Sequence, residues 1–105
     1  MNNYHLERWE IESMELWAKD YIDCNEPGYV KINADGTGEF VFGAVSASID
    51  GEFCKETNRS EYSWEGINDR DPICGRDWYM FENAHAAKGQ LFIPIGDSSL
   101  ITLAR

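Results

Sequence analysis

The residue order predicts a mainly β domain. It reads as an antiparallel meander of six to seven strands, curled strongly or closed into a small barrel, with one short N-terminal helix. Three observations carry this. Short runs with period-two alternation recur along most of the chain. Turn residues punctuate them at short intervals. The 105 residues contain four Trp, five Tyr and five Phe, more large rings than a loop-rich or disordered chain would carry.

Trp9 and Ile11 alternate with Glu10 and Glu12, which suits a first strand. Residues 13–23 suit the helix. Met14, Trp17 and Tyr21 fall on one helical face, Ser13 can act as N-cap, and Asn25-Glu26-Pro27-Gly28 stops the run. Tyr29 to Ile32 is a short strand, and Asn33 to Gly38 a turn. Glu39 to Ile49 reads as one long strand. Phe40, Phe42 and Ala44 lie on one of its faces, and Val41, Val45, Ala47 and Ile49 on the other. Gly43 inside it suggests a bulge or bend, as barrel corners need.

Asp50-Gly51 signals a turn, Phe53-Cys54 a short strand, and residues 55–60 a polar loop. The glycosylation-type triplet Asn58-Arg59-Ser60 belongs to that polar loop. Glu61 to Ile67 alternates, with Tyr62 and Trp64 on one face. Residues 68–72 form a loop, and Trp78 to Phe81 a dense aromatic strand. Residues 83–89 read as a turn or a single helical turn. Leu91, Ile93 and Ile95 alternate up to an edge or bulge at Pro94, Gly96-Asp97-Ser98 turns, and Leu100 to Ala104 is the last strand. Residues 1–105 form a single domain, because a chain this long buries roughly two-thirds of its unfolded surface in one core.

Composition excludes several functions. Nine basic and nineteen acidic residues leave a net charge of −10, against a nucleic-acid or anionic-membrane surface. No apolar run approaches the about 18 residues of a membrane-spanning helix. No basic, then apolar leader is visible, so the expected location is cytoplasmic. Cys24, Cys54 and Cys74 are odd in number and far apart in sequence, so neither a disulfide framework nor a zinc site is expected.

Local motifs resolve into turns. Asn33, Asp35 and Gly36 echo a calcium loop, but Lys31 and Phe42 stand where carboxylates are needed. Gly36-Thr37-Gly38 lacks the third glycine and the helix of a phosphate loop. No pair of carboxylates is held at a glycosidase spacing by local sequence. His85, with Glu82 or Cys74 as partner, is the one candidate general base, and no motif supports it. No catalytic residue, cofactor or metal is therefore expected.

The ends of the chain resemble the calycin barrels, the lipocalins and their relatives. Those open with a Gly-x-Trp strand and close with an Arg that packs over the Trp. Here Arg8-Trp9 opens the first strand, Thr102 to Arg105 ends the last, and Glu7 occupies the family's glycine position. A wider pattern, from Trp9 through Glu15-Leu16-Trp17, Asp20-Tyr21, Pro27-Gly28-Tyr29 and Asp35 to Gly43, is similar to small single-domain bacterial proteins. That resemblance implies a stand-alone bacterial domain and no particular activity.

The leading expectation is a small non-enzymatic binding protein. Its aromatic-lined pocket, formed by Trp17, Tyr29, Phe42, Trp64 and Trp78, would take a small apolar or planar ligand at the barrel mouth. The alternative is an acidic interaction domain of inhibitor, immunity or adaptor type. Seven of the acids (Glu7, Glu10, Glu12, Glu15, Asp20, Asp23, Glu26) fall in residues 1–26 and would steer a basic protein partner. Exposed edge strands would also be compatible with a homodimer.

Overall fold

The computed structural model describes residues 5–93 and 97–105. Eight antiparallel strands, each hydrogen-bonded to the next in sequence, form an up-and-down barrel closed by the first and last. They are β1 (Glu7–Met14), β2 (Tyr29–Ile32), β3 (Thr37–Phe42), β4 (Val45–Cys54), β5 (Arg59–Asn68), β6 (Asp71–Phe81), β7 (Ala86–Ile93) and β8 (Asp97–Ala104). Closure gives the end strands partners and removes the edge-strand argument for a homodimer.

The eighth strand comes from the expected single strand Glu39 to Ile49, which is a hairpin. Gly43 takes φ +55° and, with Ala44, turns the chain so that Phe42 pairs with Val45. The turn inverts the side-chain parity. Phe40 and Phe42 before it, and Val45, Ala47 and Ile49 after it, all face the interior and are buried. The two-sided apolar pattern in the sequence is thus one interior face seen through a turn. Asp50-Gly51, expected as a turn, lies within β4 opposite Ser63 and Tyr62.

The helix is also shorter than expected. Ser13 and Met14 belong to β1, paired with Thr102 and Ile101, and α1 spans only Lys19–Ile22 with Ala18 at its N-cap. Pairing with β8 claims residues that helical spacing alone would place in a helix. A bulge between Ile11 and Ser13 leaves both Glu12 and Ser13 exposed and returns Met14 to the interior.

Other loops shrink for the same reason. β5 starts at Arg59, so the 55–60 loop ends at Asn58, which takes φ +53°. Asp69 and Arg70 alone join β5 to β6, with Asp69 at φ +60° and its N–H donating to Ala44 O at 2.9 Å. β7 begins at Ala86, inside the expected 83–89 turn, and Ser98 lies within β8. The Asn33–Gly38 turn is a tight hairpin, with Asn33 N–H donating to Thr37 O at 2.8 Å. Pro94, Ile95 and Gly96 lie outside the described residues.

An eight-stranded barrel is just wide enough to be filled by side chains, and this one is filled by seven buried rings packed among aliphatic side chains. Three large rings lie over glycines directly opposite them: Tyr62 over Gly51, Trp64 over Gly75 and Tyr79 over Gly89. A Cβ on Gly75 would stand 2.8 Å from the Trp64 ring, and one on Gly89 would stand 2.8 Å from Tyr79. The missing side chains make the room that the rings occupy.

Both ends of the barrel are covered. At one end Ile22 inserts into the core, Trp17 packs on Phe42 with centroids 5.0 Å apart, and Tyr21 lies against Gly43. At the other, His5 stacks flat on Phe53 at 3.7 Å, and Arg105 lies 4.2 Å over the Trp9 ring. Arg105 also donates to the carbonyls of Leu6 and Ala84, tying both chain ends to that rim.

Candidate functional site

The five expected pocket residues do not converge. Phe42 and Trp64 are interior, each packed against Phe40, with ring centroids 6.0 and 5.1 Å away. Trp17 is half-buried in the cap over Phe42. Tyr29 faces outward from β2, under the Arg8 guanidinium at 4.0 Å, and its hydroxyl donates to Glu39. That hydrogen bond and burial push its phenol up to about 12. Trp78 lies on the outside of β6. Alternation reveals that two residues share a face, but not which face a closed barrel turns inward.

The outer face around Trp78 forms a groove of about 500 Å³ across β5, β6 and β7. Register places its parts. Trp78 lies between Glu61 and Gln90, and the next row is Ser63, Arg76 and Phe92. Arg59 stacks on the indole at 4.2 Å and pairs with Glu61 at 3.8 Å. Arg76 approaches the Phe92 ring at 5.8 Å and forms no ion pair with a described residue. Trp78 and Phe92 are diagonal neighbours on adjacent strands, a relation that sets backbones about 7–8 Å apart. Of these groups only Trp78 was singled out in the sequence. Arg59, Arg76 and Phe92 come from three strands, and no local spacing links them.

Beneath this groove, on the interior faces of β5 and β6, lies a polar cluster. Asp77 is 2% exposed and stands opposite Tyr62, with Tyr79 two residues along the same face. Tyr79 donates to Asp77 Oδ2 at 2.6 Å, while Oδ1 has no partner. Burial pushes the carboxyl up to about 7, against the pull of the Tyr79 hydrogen bond. Burial likewise pushes Tyr62 up to about 12, and Tyr79 is raised well above its usual range. Trp64 Nε1 is also buried without a hydrogen-bond partner among the described residues. The sequence showed Asp77 as one acid among nineteen. Its parity with Tyr79 and Phe81, rather than with Trp78, was the available signal.

His85 lies exposed in the turn between β6 and β7. Its N–H donates to Asn83 Oδ1 at 2.7 Å, and its ring Nδ1 is 3.1 Å from Arg105 O. Cys74 lies toward the far end of β6, so it does not partner this ring. The Cys24, Cys54 and Cys74 thiols are free and exposed. Among the described residues no helix is long and apolar enough to cross a membrane.

Comparison with protein-family models, with curated proteins and with solved structures finds no match.

Proposed function

We propose that this chain is a small non-enzymatic binding protein whose planar ligand stacks in the outer groove on Trp78, beside Phe92. The observation that carries the reading is the pair of half-buried rings in a concave site, each with an arginine against it. The barrel ends, where sequence reasoning put the ligand, are covered by the chain's own residues. The groove opens to solvent and needs no rearrangement of the core. Up-and-down closure and the Arg105–Trp9 stack support the likeness to calycin barrels, and the proposed ligand surface is the outer wall rather than the lumen.

The test uses flat bicyclic probes, 2-naphthoate and the neutral 2-naphthalenemethanol, followed through the Trp78 indole N–H signal in NMR. That signal is assigned by its loss in Trp78→Phe. At least one probe should move it, and Trp78→Ala should abolish binding while preserving the thermal transition. Probe shifts confined to the interior Trp64 would refute the reading.

A second reading has one observation in its favour. Leu16 and Leu100 are both exposed, and Glu15, next to Leu16, donates its N–H to Leu100 O at 2.9 Å while its carboxylate accepts from the Leu100 N–H. Exposed apolar side chains beside an acid suit a basic protein partner. Such binding should weaken between low and high salt and be lost in the double variant Leu16→Ser, Leu100→Ser.

A further inference from the structure

We propose that the ligand of the outer groove carries an anionic group, a carboxylate or phosphate attached to a planar ring, and that Arg76 is the residue that reads it. The inference rests on the planar-ligand reading above and names the chemistry of that ligand.

Charge is the first argument. The chain carries −10, and Asp50, Glu52 and Glu65 stand on the flanking rows of this outer face, yet the groove's own lining holds two arginines against one exposed acid, Glu61. A local surplus of positive charge in an acidic protein is unfavourable for binding cations and favourable for an anion. The two arginines are not equivalent. Arg59 is committed, stacked on Trp78 and paired with Glu61. Arg76 is exposed, sits between the Ser63 and Phe92 positions, and has no carboxylate bound to it among the described residues. Its planar fork of donors matches a carboxylate or phosphate in two-point fashion.

Placement is the second argument. Ser63 lies directly opposite Arg76 across the β5–β6 pair, and its hydroxyl has only a long contact, 3.5 Å to Asp50 O. A hydroxyl whose single donor is engaged only in that long contact, and can turn to a ligand, therefore stands beside the Arg76 guanidinium. A ring seated on Trp78 lies one row from both groups, so its substituent reaches Arg76 and Ser63 while the ring is stacked. The ligand is thus held by two different forces at two adjacent rows: stacking at Trp78 and Phe92, and charge at Arg76.

The experiment compares four probes on the intact protein: 2-naphthoate, 2-naphthyl phosphate, 2-naphthalenemethanol and 2-naphthylmethylamine. Affinities are read from the Trp78 indole shift at 50 mM salt, for the natural chain and for Arg76→Gln. An exposed charge-assisted contact should give the anions an advantage of about fivefold or more over the alcohol. Arg76→Gln should erase that advantage, bringing the anions to the affinity that the alcohol shows for the same variant. The better of the two anions identifies the substituent. Equal affinities for anion, alcohol and amine, or an anion preference that survives Arg76→Gln, would overturn the inference and leave the planar-ligand reading standing. No Trp78 shift with any probe would overturn both. Arg76→Lys supplies a second variant. It should keep part of the preference, because the charge persists without the fork.

Discussion

Replacing Asp77 by Asn should remove part of the pH dependence of this protein's stability. The carboxyl is 2% exposed, with one oxygen bound by Tyr79 and the other by nothing. In the unfolded chain it loses its proton near 3.8, and in the folded barrel burial holds the proton until about 7. Between those values the folded state binds one more proton than the unfolded state. Stability from this group is therefore complete below about pH 4, falls as pH rises, and is gone above about pH 7. At about 1.36 kcal/mol per pH unit the full loss is about 4 kcal/mol, of which about 3 kcal/mol falls between pH 5 and 8. Asparagine keeps the shape and cannot ionise. Its amide brings two donors into a site that lacks partners, a cost of about 1–3 kcal/mol at all pH values. The variant should therefore be within about 1.5 kcal/mol of the natural chain at pH 5 and about 1–3 kcal/mol more stable at pH 8. Urea denaturation at pH 5, 6, 7 and 8, followed by tryptophan fluorescence, measures the difference. Comparing the two proteins cancels the general repulsion of the other acids. If the difference between them stayed constant within about 0.5 kcal/mol across that range, the carboxyl would not be a buried neutral acid and the argument would fail.

Gly89→Ala should destabilise the barrel by about 2–3 kcal/mol, because its Cβ would stand 1.9 Å from Trp78 O and 2.8 Å from the Tyr79 ring. A melting temperature within 2 °C of the natural chain, on a scale of roughly 4–8 °C per kcal/mol, would contradict the ring-over-glycine packing. Glu7→Gly should stabilise by about 1 kcal/mol, since Glu7 is held at φ +73° in the region that glycine tolerates. Chemical denaturation checks it, and a loss of stability would show that the Glu7 side chain outweighs its backbone strain. Arg105→Ala should cost about 2 kcal/mol by removing the stack on Trp9 and the bonds to the Leu6 and Ala84 carbonyls. Faster amide exchange should then be confined to the rim those residues tie together.

The local signals of this chain are strong wherever one strand is read alone. Alternation in Tyr62 and Trp64, the Asn33 to Gly38 turn and the Trp9 strand are short-range properties of neighbouring residues, and they are legible as such. So are the antiparallel class and the acidic charge. Errors arise where distant pairing overrides local pattern. Met14, Trp17 and Tyr21 have helical spacing, yet hydrogen bonds to β8 draw Met14 into a strand. Phe42 and Val45 look like opposite faces until Gly43 reverses the chain between them. The groove lies wholly beyond local reading. Arg59, Arg76 and Phe92 meet because barrel closure fixes the register of three strands, and register depends on the sum of pairings around the whole ring. Asp77 and Trp78 make the same point in two adjacent residues. Asp77 is sealed inside and Trp78 stands half-buried on the outer wall, because a strand sends successive side chains to opposite faces and only the closed barrel says which face is in.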